Sequence, residues 1–206
     1  MNNSRIPVSL RKKLVALSLA IAMGLGGAGV AYTPGRGAPS EAVLLAMELG
    51  AHYESSGRHF GVPYVDRVGK GQPLTVCHGI TGKDVIAGKH YSPEDCRRLE
   101  LPRYLEAERQ AMAALKHWHT YNPYVHASFI DMVFNVGPGV LDGTTVVRLA
   151  NAGDLTGACA QMTRWVYGRV DGRSVKMPGL VDRRGTTSEM CGEWGRDGKF
   201  GEAKLS

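Results

Sequence analysis

Apolar residues recur along this chain with two periods, and the change between them divides it. Ala42, Leu45, Ala46 and Leu49 fall at i, i+3, i+4 and i+7, one face of an amphipathic helix with Ser40 placed as its cap. That helix is expected to end between Tyr53 and Ser56, which puts Glu54 at its C-terminal end. Residues 57–85 carry eight glycines or prolines around short β-favouring runs such as PYVDRV and LTVCHGI. This pattern predicts a small, twisted antiparallel sheet of hairpins. The helical period returns at SPED (92–95), where Ser92 caps, Pro93 takes the first position and two acids fill the first turn. The predicted helix runs to about His117. Asn122 and Pro123 repeat the device ahead of YVHASFIDMVFNV, whose apolar content predicts a buried central helix. Shorter helices are predicted at 143–151, 154–165 and 179–193. The expected fold class is α+β: a small antiparallel sheet lobe, a larger helical lobe and a cleft between them suited to a ligand.

The first thirty-two residues fit neither pattern. Arg5, Arg11, Lys12 and Lys13 precede Leu14 to Tyr32, nineteen residues without a charge. A basic flank followed by an apolar run is an export signal. Its front half, LVALSLAIAM, is strongly apolar, and its back half, GLGGAGVAY, is only weakly so. Two outcomes stay open, cleavage after Ala31 or an uncleaved, weakly held membrane anchor. The predicted organisation is a signal or anchor at 1–32, a Pro/Gly linker at 33–39, a folded domain at 40–195 and a tail at 196–206.

Charge adds direction to this picture. The formal net charge is +6 and the pI about 9.2, which favours anionic surroundings. Apart from Arg11-Lys12-Lys13 the basic residues do not cluster, and no zinc-finger or recognition-helix pattern occurs, so no nucleic-acid partner is expected. Cys77, Cys96, Cys159 and Cys191 are even in number and contain no Cys-x-x-Cys pair, so disulfides are expected in an exported chain and no metal site. Three pairings are open, of which the simplest is local: Cys77–Cys96 and Cys159–Cys191. Each such bridge would stabilise the fold by roughly 3 kcal/mol in the chain-entropy picture.

The candidate chemistry lies in the glycine-rich stretch. Glycosidic hydrolysis commonly needs one carboxylic acid to protonate the leaving oxygen and a second carboxylate to activate water. Glu54, where a helix meets the sheet, suits the first task. Asp66, on an adjacent wet hairpin, suits the second. The Thr75 hydroxyl both donates and accepts, so it suits a water held against Asp66. On residue type alone, a surface ion pair, a turn aspartate and a β-favouring threonine explain the three at least as well. His117 and His119 point to different faces of a helix, and His78 and Cys77 to opposite faces of a strand. Asp131 and Asp142 are explained by capping or a salt bridge.

A family resemblance carries the reading further. YE, then an aspartate after a short hairpin, then LTVCHGITG resembles the active-site region of phage-type lysozymes, glycoside hydrolase family 24. SFIDMVFNVGPG resembles that family's central helix, and GLVDRRGTTSEMCGEW its C-terminal Gly-Leu-x-x-Arg-Arg signature. TTVVRLANAGD and ACAQMTRWVYG are similar to the segments between, so the resemblance spans about residues 41–195 in order. The cysteines in TVCHG, PEDC, GAC and EMC resemble those of lambdoid-phage endolysins, and the glycine-rich N-terminus resembles their signal-anchor-release segment.

The resemblance implies a lysozyme-like fold and a muramidase that cleaves the β-1,4 bond between N-acetylmuramic acid and N-acetylglucosamine, lysing the host. Glu54 would be the general acid, Asp66 the base and Thr75 the positioner of water, with inversion at the anomeric carbon. Phe134 and Asn135 would line the saccharide cleft, although Phe134 fits a core position equally. The expected partners are peptidoglycan and the inner membrane, in a tethered and then periplasmic monomer without cofactor. A lytic transglycosylase and a non-catalytic wall-binding module are the rival readings. One departure stands out. The family's usual spacing is Glu-x8-Asp-x5-Thr, whereas eleven residues separate Glu54 from Asp66 here and eight separate Asp66 from Thr75. RHFG and GKGQ are where the additions are placed.

Overall fold

The computed structural model describes residues 4–23, 38–55, 61–65, 71–170 and 172–194. Asp66 lies outside the described residues, as do the glycine-rich half of the N-terminal run, most of the 33–39 linker and the 196–206 tail.

Helix α1 spans Val8–Ala22, α2 Glu41–Ser55, α3 Pro93–Ala114 and α4 Pro123–Val136. The predicted caps are in place. The Ser40 hydroxyl accepts from Val43 N–H at 3.1 Å, Ser92 and Asp95 form a reciprocal capping box, and the Asn122 side chain accepts from Tyr124 and Val125 N–H. Helix α3 stops three residues short of the expected His117, because Leu115 turns extended. A 3-10 turn at Trp118–Thr120 then leads into α4.

Helix α4 is the centre of the large lobe. Nine of its residues between Tyr124 and Val133 are buried, so it is packed on all sides, with α2, α3 and the segment after α7 around it. Full burial of a Val, Ile or Phe side chain contributes about 1.5–3 kcal/mol each. Helices α5 (Thr145–Asn151), α6 (Leu155–Gln161) and α7 (Pro178–Glu189) complete the lobe, each beginning within two residues of its expected start. The last runs into a π-helical turn, Met190–Trp194, that carries Cys191.

The small lobe is the predicted antiparallel sheet, β1 (Tyr64–Val65), β2 (Leu74–Val76) and β3 (Ile80–Thr81), with β2 in the middle. Val76, Cys77, Ile80, Val85, Tyr91 and Cys96 form its own core. The disulfides follow the local pairing: Cys77–Cys96 ties this sheet to α3, and Cys159–Cys191 ties α6 to the π turn.

Two features depart from the sequence expectation. A second hairpin, β4 (Tyr167–Val170) with β5 (Arg173–Lys176), falls where none was predicted. Nearly every residue in it is exposed, so its strands show no period-two burial to detect. An Asp-Gly dipeptide at 171–172 was the legible sequence signal for a hairpin, and Gly172 has φ +75°. The N-terminal helix also starts six residues before the apolar run and takes in Arg11, Lys12 and Lys13. Ile6, Leu10 and Leu14 bury against the domain, most extensively against α2, and no helix among the described residues is long and apolar enough to cross a membrane.

Candidate active site

Glu54 sits in the last turn of α2, where the helix stops at the mouth of a cleft of about 550 Å³ between the two lobes. Phe134 and Asn135 from the end of α4, Arg103 and Glu106 from α3, and His78 from the sheet lobe share its walls. The structure therefore brings Glu54, Phe134 and Asn135 together. Thr75 does not line the described part of this cleft. It lies in the middle strand, buried, opposite Tyr64 and Thr81, and its hydroxyl donates to the Pro73 carbonyl at 3.2 Å.

Phe134 is both cleft wall and core edge. Its ring stacks on Tyr104 with centroids 4.0 Å apart and planes 9° from parallel, leaving its other side to the cleft. Burial raises the Tyr104 phenol well above its ordinary range, so it remains neutral at any working pH.

The least expected part is ionic. Asp131, in the middle of the apolar FIDMVF run, is fully buried and accepts from Arg183 at 2.7 Å through Nη2 and 3.1 Å through Nε. Arg184 Nη2 approaches its other oxygen at 3.3 Å. Arg183 Nη1 continues outward to Glu54 Oε1, whose side chain is 30% exposed. Arg184 Nη2 donates to Asn135 Oδ1 at 2.7 Å, which turns the Asn135 amide so that its Nδ2 donates to the same Glu54 Oε1 at 3.3 Å. Two donors thus converge on Oε1, and among the described residues no hydrogen bond reaches Oε2.

Burial opposes the charge of both arginines. For Arg183 the adjacent Asp131 and Glu54 outweigh that cost and raise its pKa, whereas for Arg184 burial prevails and lowers it. Both remain cations at working pH. Sequence reasoning assigned Asp131 a salt bridge or a cap and gave Arg183 and Arg184 no role. The available signal was a charge inside an apolar helix, since a buried carboxylate needs a cationic partner.

A second buried tie closes the other side of the cleft. Glu100 Oε1, on α3, accepts both the His78 backbone N–H at 3.1 Å and His78 Nδ1 at 2.8 Å, one helical turn beyond the Cys96 disulfide. Sheet lobe and α3 are thereby held at one edge by a covalent and a polar link. Among the described residues, the one group of three candidate ligands is Cys77, Cys96 and Glu100, and both sulfurs are already in the disulfide.

Comparison with known proteins places this arrangement among relatives. The family model described as phage lysozyme matches residues 60–187. The SAR-endolysin of Enterobacteria phage P21 is 35% identical over 143 residues, covering 66% of this chain and 76% of that protein. The SAR-endolysin of Escherichia phage Mu is 32% identical over 177 residues, covering 84% and 87%. Among solved structures, the endolysin from Escherichia coli O157:H7 phage FAHEc1 shares the fold with a TM-score of 0.64 at 19% identity, covering 76% of this chain and 94% of that one.

Proposed function

The chain belongs to the phage lysozyme family of glycoside hydrolases, and on that premise we propose that it opens peptidoglycan with Glu54 as general acid, Asp66 as base and Thr75 as positioner of water. The observation that carries the acid assignment is the one-sided bonding of Glu54. Arg183 and Asn135 both hold Oε1, which leaves Oε2, unbonded among the described residues, as the oxygen to deliver the proton.

The bond is the β-1,4 link from N-acetylmuramic acid to N-acetylglucosamine. Glu54 gives its proton to the leaving oxygen as the carbon–oxygen bond breaks. Asp66 takes a proton from the water that attacks the anomeric carbon from the opposite face, and the product forms with inversion. Phe134 offers a flat apolar surface for a sugar ring, backed by Tyr104. Replacement of Glu54 by glutamine keeps shape and hydrogen bonds but removes the proton. The rate of clearing purified cell wall is expected to fall by about 10²–10⁴-fold, the usual contribution of a positioned acid. A Glu54→Gln protein that clears wall at the wild-type rate sinks the assignment. Mass spectrometry of the released muropeptides separates hydrolysis from transglycosylation by one water.

Export and tethering belong to the same proposal. They are supported by the basic flank, the uncharged run from Leu14 and the SAR-endolysin name that the relatives carry. Leu14 and Val15, the first residues of that run, cannot face lipid while they face the protein core, so insertion of the run and docking of α1 exclude each other. A run this poor in apolar area is held only marginally and can leave the bilayer intact. Replacing Gly24, Gly26, Gly27 and Gly29 with leucine is expected to retain the protein in the membrane fraction and delay lysis. A mature protein beginning at Tyr32 in every fraction refutes the tether.

A further inference from the structure

We propose that Asp131 is a positioning residue for this reaction: a buried counter-charge that aims Arg183 and Arg184 toward Glu54 and Asn135 and offsets one of their two positive charges, which eases protonation of the Glu54 carboxyl. The proposal rests on the reading of Glu54 as the acid.

The difficulty it resolves is electrostatic. A general acid has to be protonated when substrate binds, yet Glu54 touches a guanidinium, and a neighbouring cation favours the ionised carboxylate. A second guanidinium, Arg184, lies just behind the first and is fully buried. Without a counter-charge the pair would set two positive charges beside Glu54, and Asp131 reduces that net charge to one. Asp131 faces both arginines and is itself fully buried, so its field is little screened by water. Among the described residues it is the only buried carboxylate bonded to either of them. Glu100 is bonded to His78, and Glu189 to Ser4 and Arg5.

The same carboxylate sets the geometry. It occupies Nε and Nη2 of Arg183, which leaves Nη1 directed at Glu54. Its second oxygen steadies Arg184 Nη2, the group that turns the Asn135 amide toward Glu54. Asp131 therefore acts on which Glu54 oxygen is held as well as on the charge beside it.

The other ionisable groups around Glu54 do not replace this role. Tyr53 precedes it on α2, and Asp182 lies on α7 with its backbone carbonyl toward the Tyr53 hydroxyl. Tyr104 on α3 is a buried, neutral phenol. Arg103 and Glu106 on α3 are exposed, and they are of opposite sign, while His78 stands on the sheet lobe tied to Glu100.

The test is the pH profile of wall clearance. Asp131→Asn keeps the shape and one acceptor oxygen but removes the negative charge. Glu54 then gives up its proton at lower pH, and the alkaline limb of the profile moves down by about one pH unit, the low end for loss of a nearby charge. Arg184→Gln removes a positive charge instead and is expected to move the limb up. The double variant Asp131→Asn/Arg184→Gln restores the balance and is expected to return the limb toward its wild-type position.

A limb that stays in place in Asp131→Asn, with activity lowered equally at all pH, overturns the proposal. If circular dichroism shows that Asp131→Asn does not fold, the decision passes to Arg184→Gln, and an unmoved limb there overturns it as well. Glu54→Gln run alongside separates the two levels. Retained activity in that variant refutes the acid assignment itself, whereas an inactive Glu54→Gln with unmoved limbs refutes only the role of Asp131.

Discussion

The docking of α1 lends itself to a quantitative test through Leu14. This side chain is fully buried, one helical turn beyond Leu10, which is also fully buried. Truncating such a leucine to alanine costs about 2–5 kcal/mol, depending on how far the site collapses. Here the cost has an upper bound, because α1 is a terminal helix and can detach while the rest stays folded. Leu14→Ala therefore changes the local opening of α1 rather than global unfolding. A loss of about 2 kcal/mol raises the open fraction roughly 30-fold.

Hydrogen exchange followed by mass spectrometry on peptides covering residues 8–22 reads that fraction directly. Amides of α1 are expected to be protected in the wild type and to exchange about 30-fold faster in Leu14→Ala, with those of α4 unchanged. Lys12→Ala, at an exposed position of the same helix, is the control and is expected to leave the rates alone. Wild-type α1 amides that already exchange at unprotected rates would refute the docking. So would a Leu14→Ala protein with unchanged protection.

Two further outcomes follow from the core of the large lobe. A Cβ at Gly50 would lie 1.8 Å from the Tyr104 hydroxyl, and Tyr104 cannot retreat because it is buried and stacked on Phe134. Gly50→Ala is therefore expected to destabilise by about 1–3 kcal/mol in urea titration and to weaken binding of a chitin-type oligosaccharide. Unchanged stability and affinity together would contradict the rigidity assigned to that stack. His126 stacks on Trp118 at 3.9 Å and donates through Nε2 to the Trp118 carbonyl, and its pKa is lowered from 6.5, chiefly by burial. The unfolded chain then takes up the proton more readily than the folded one. His126 therefore contributes stability that is present above pH 6.5 and lost as pH falls from there through its lowered folded value. Urea midpoints measured at pH 7.5 and pH 5.5 are expected to drop less in His126→Phe than in the wild type, and an equal drop would contradict this.

Much of the fold was legible in the chain because its determinants are local. A cap and its helix communicate across three residues, as Ser40 does with Val43 and Ser92 with Asp95. The starts of α2 to α7, a small antiparallel sheet and the burial of α4 follow from such spacings, turn residues and apolar periodicity. Both disulfides join neighbours in the fold, with sequence separations of 19 and 32, so the local pairing was the simplest expectation. The β4–β5 hairpin escaped because exposed strands carry no burial pattern.

The site was decided elsewhere. Glu54 stood out as a lone acid where a helix meets a glycine-rich stretch, but residue type alone favoured a surface ion pair. Its partner is Arg183, 129 residues away, and Arg183 is aimed by Asp131, 52 residues away. Asp131 in an apolar helix signals that a cation must be near, but no spacing rule says which of the 25 Lys and Arg residues supplies it. That choice is made when α2, α4 and α7 pack. Only there does a fully buried carboxylate meet a guanidinium whose remaining N–H reaches Glu54 at the cleft.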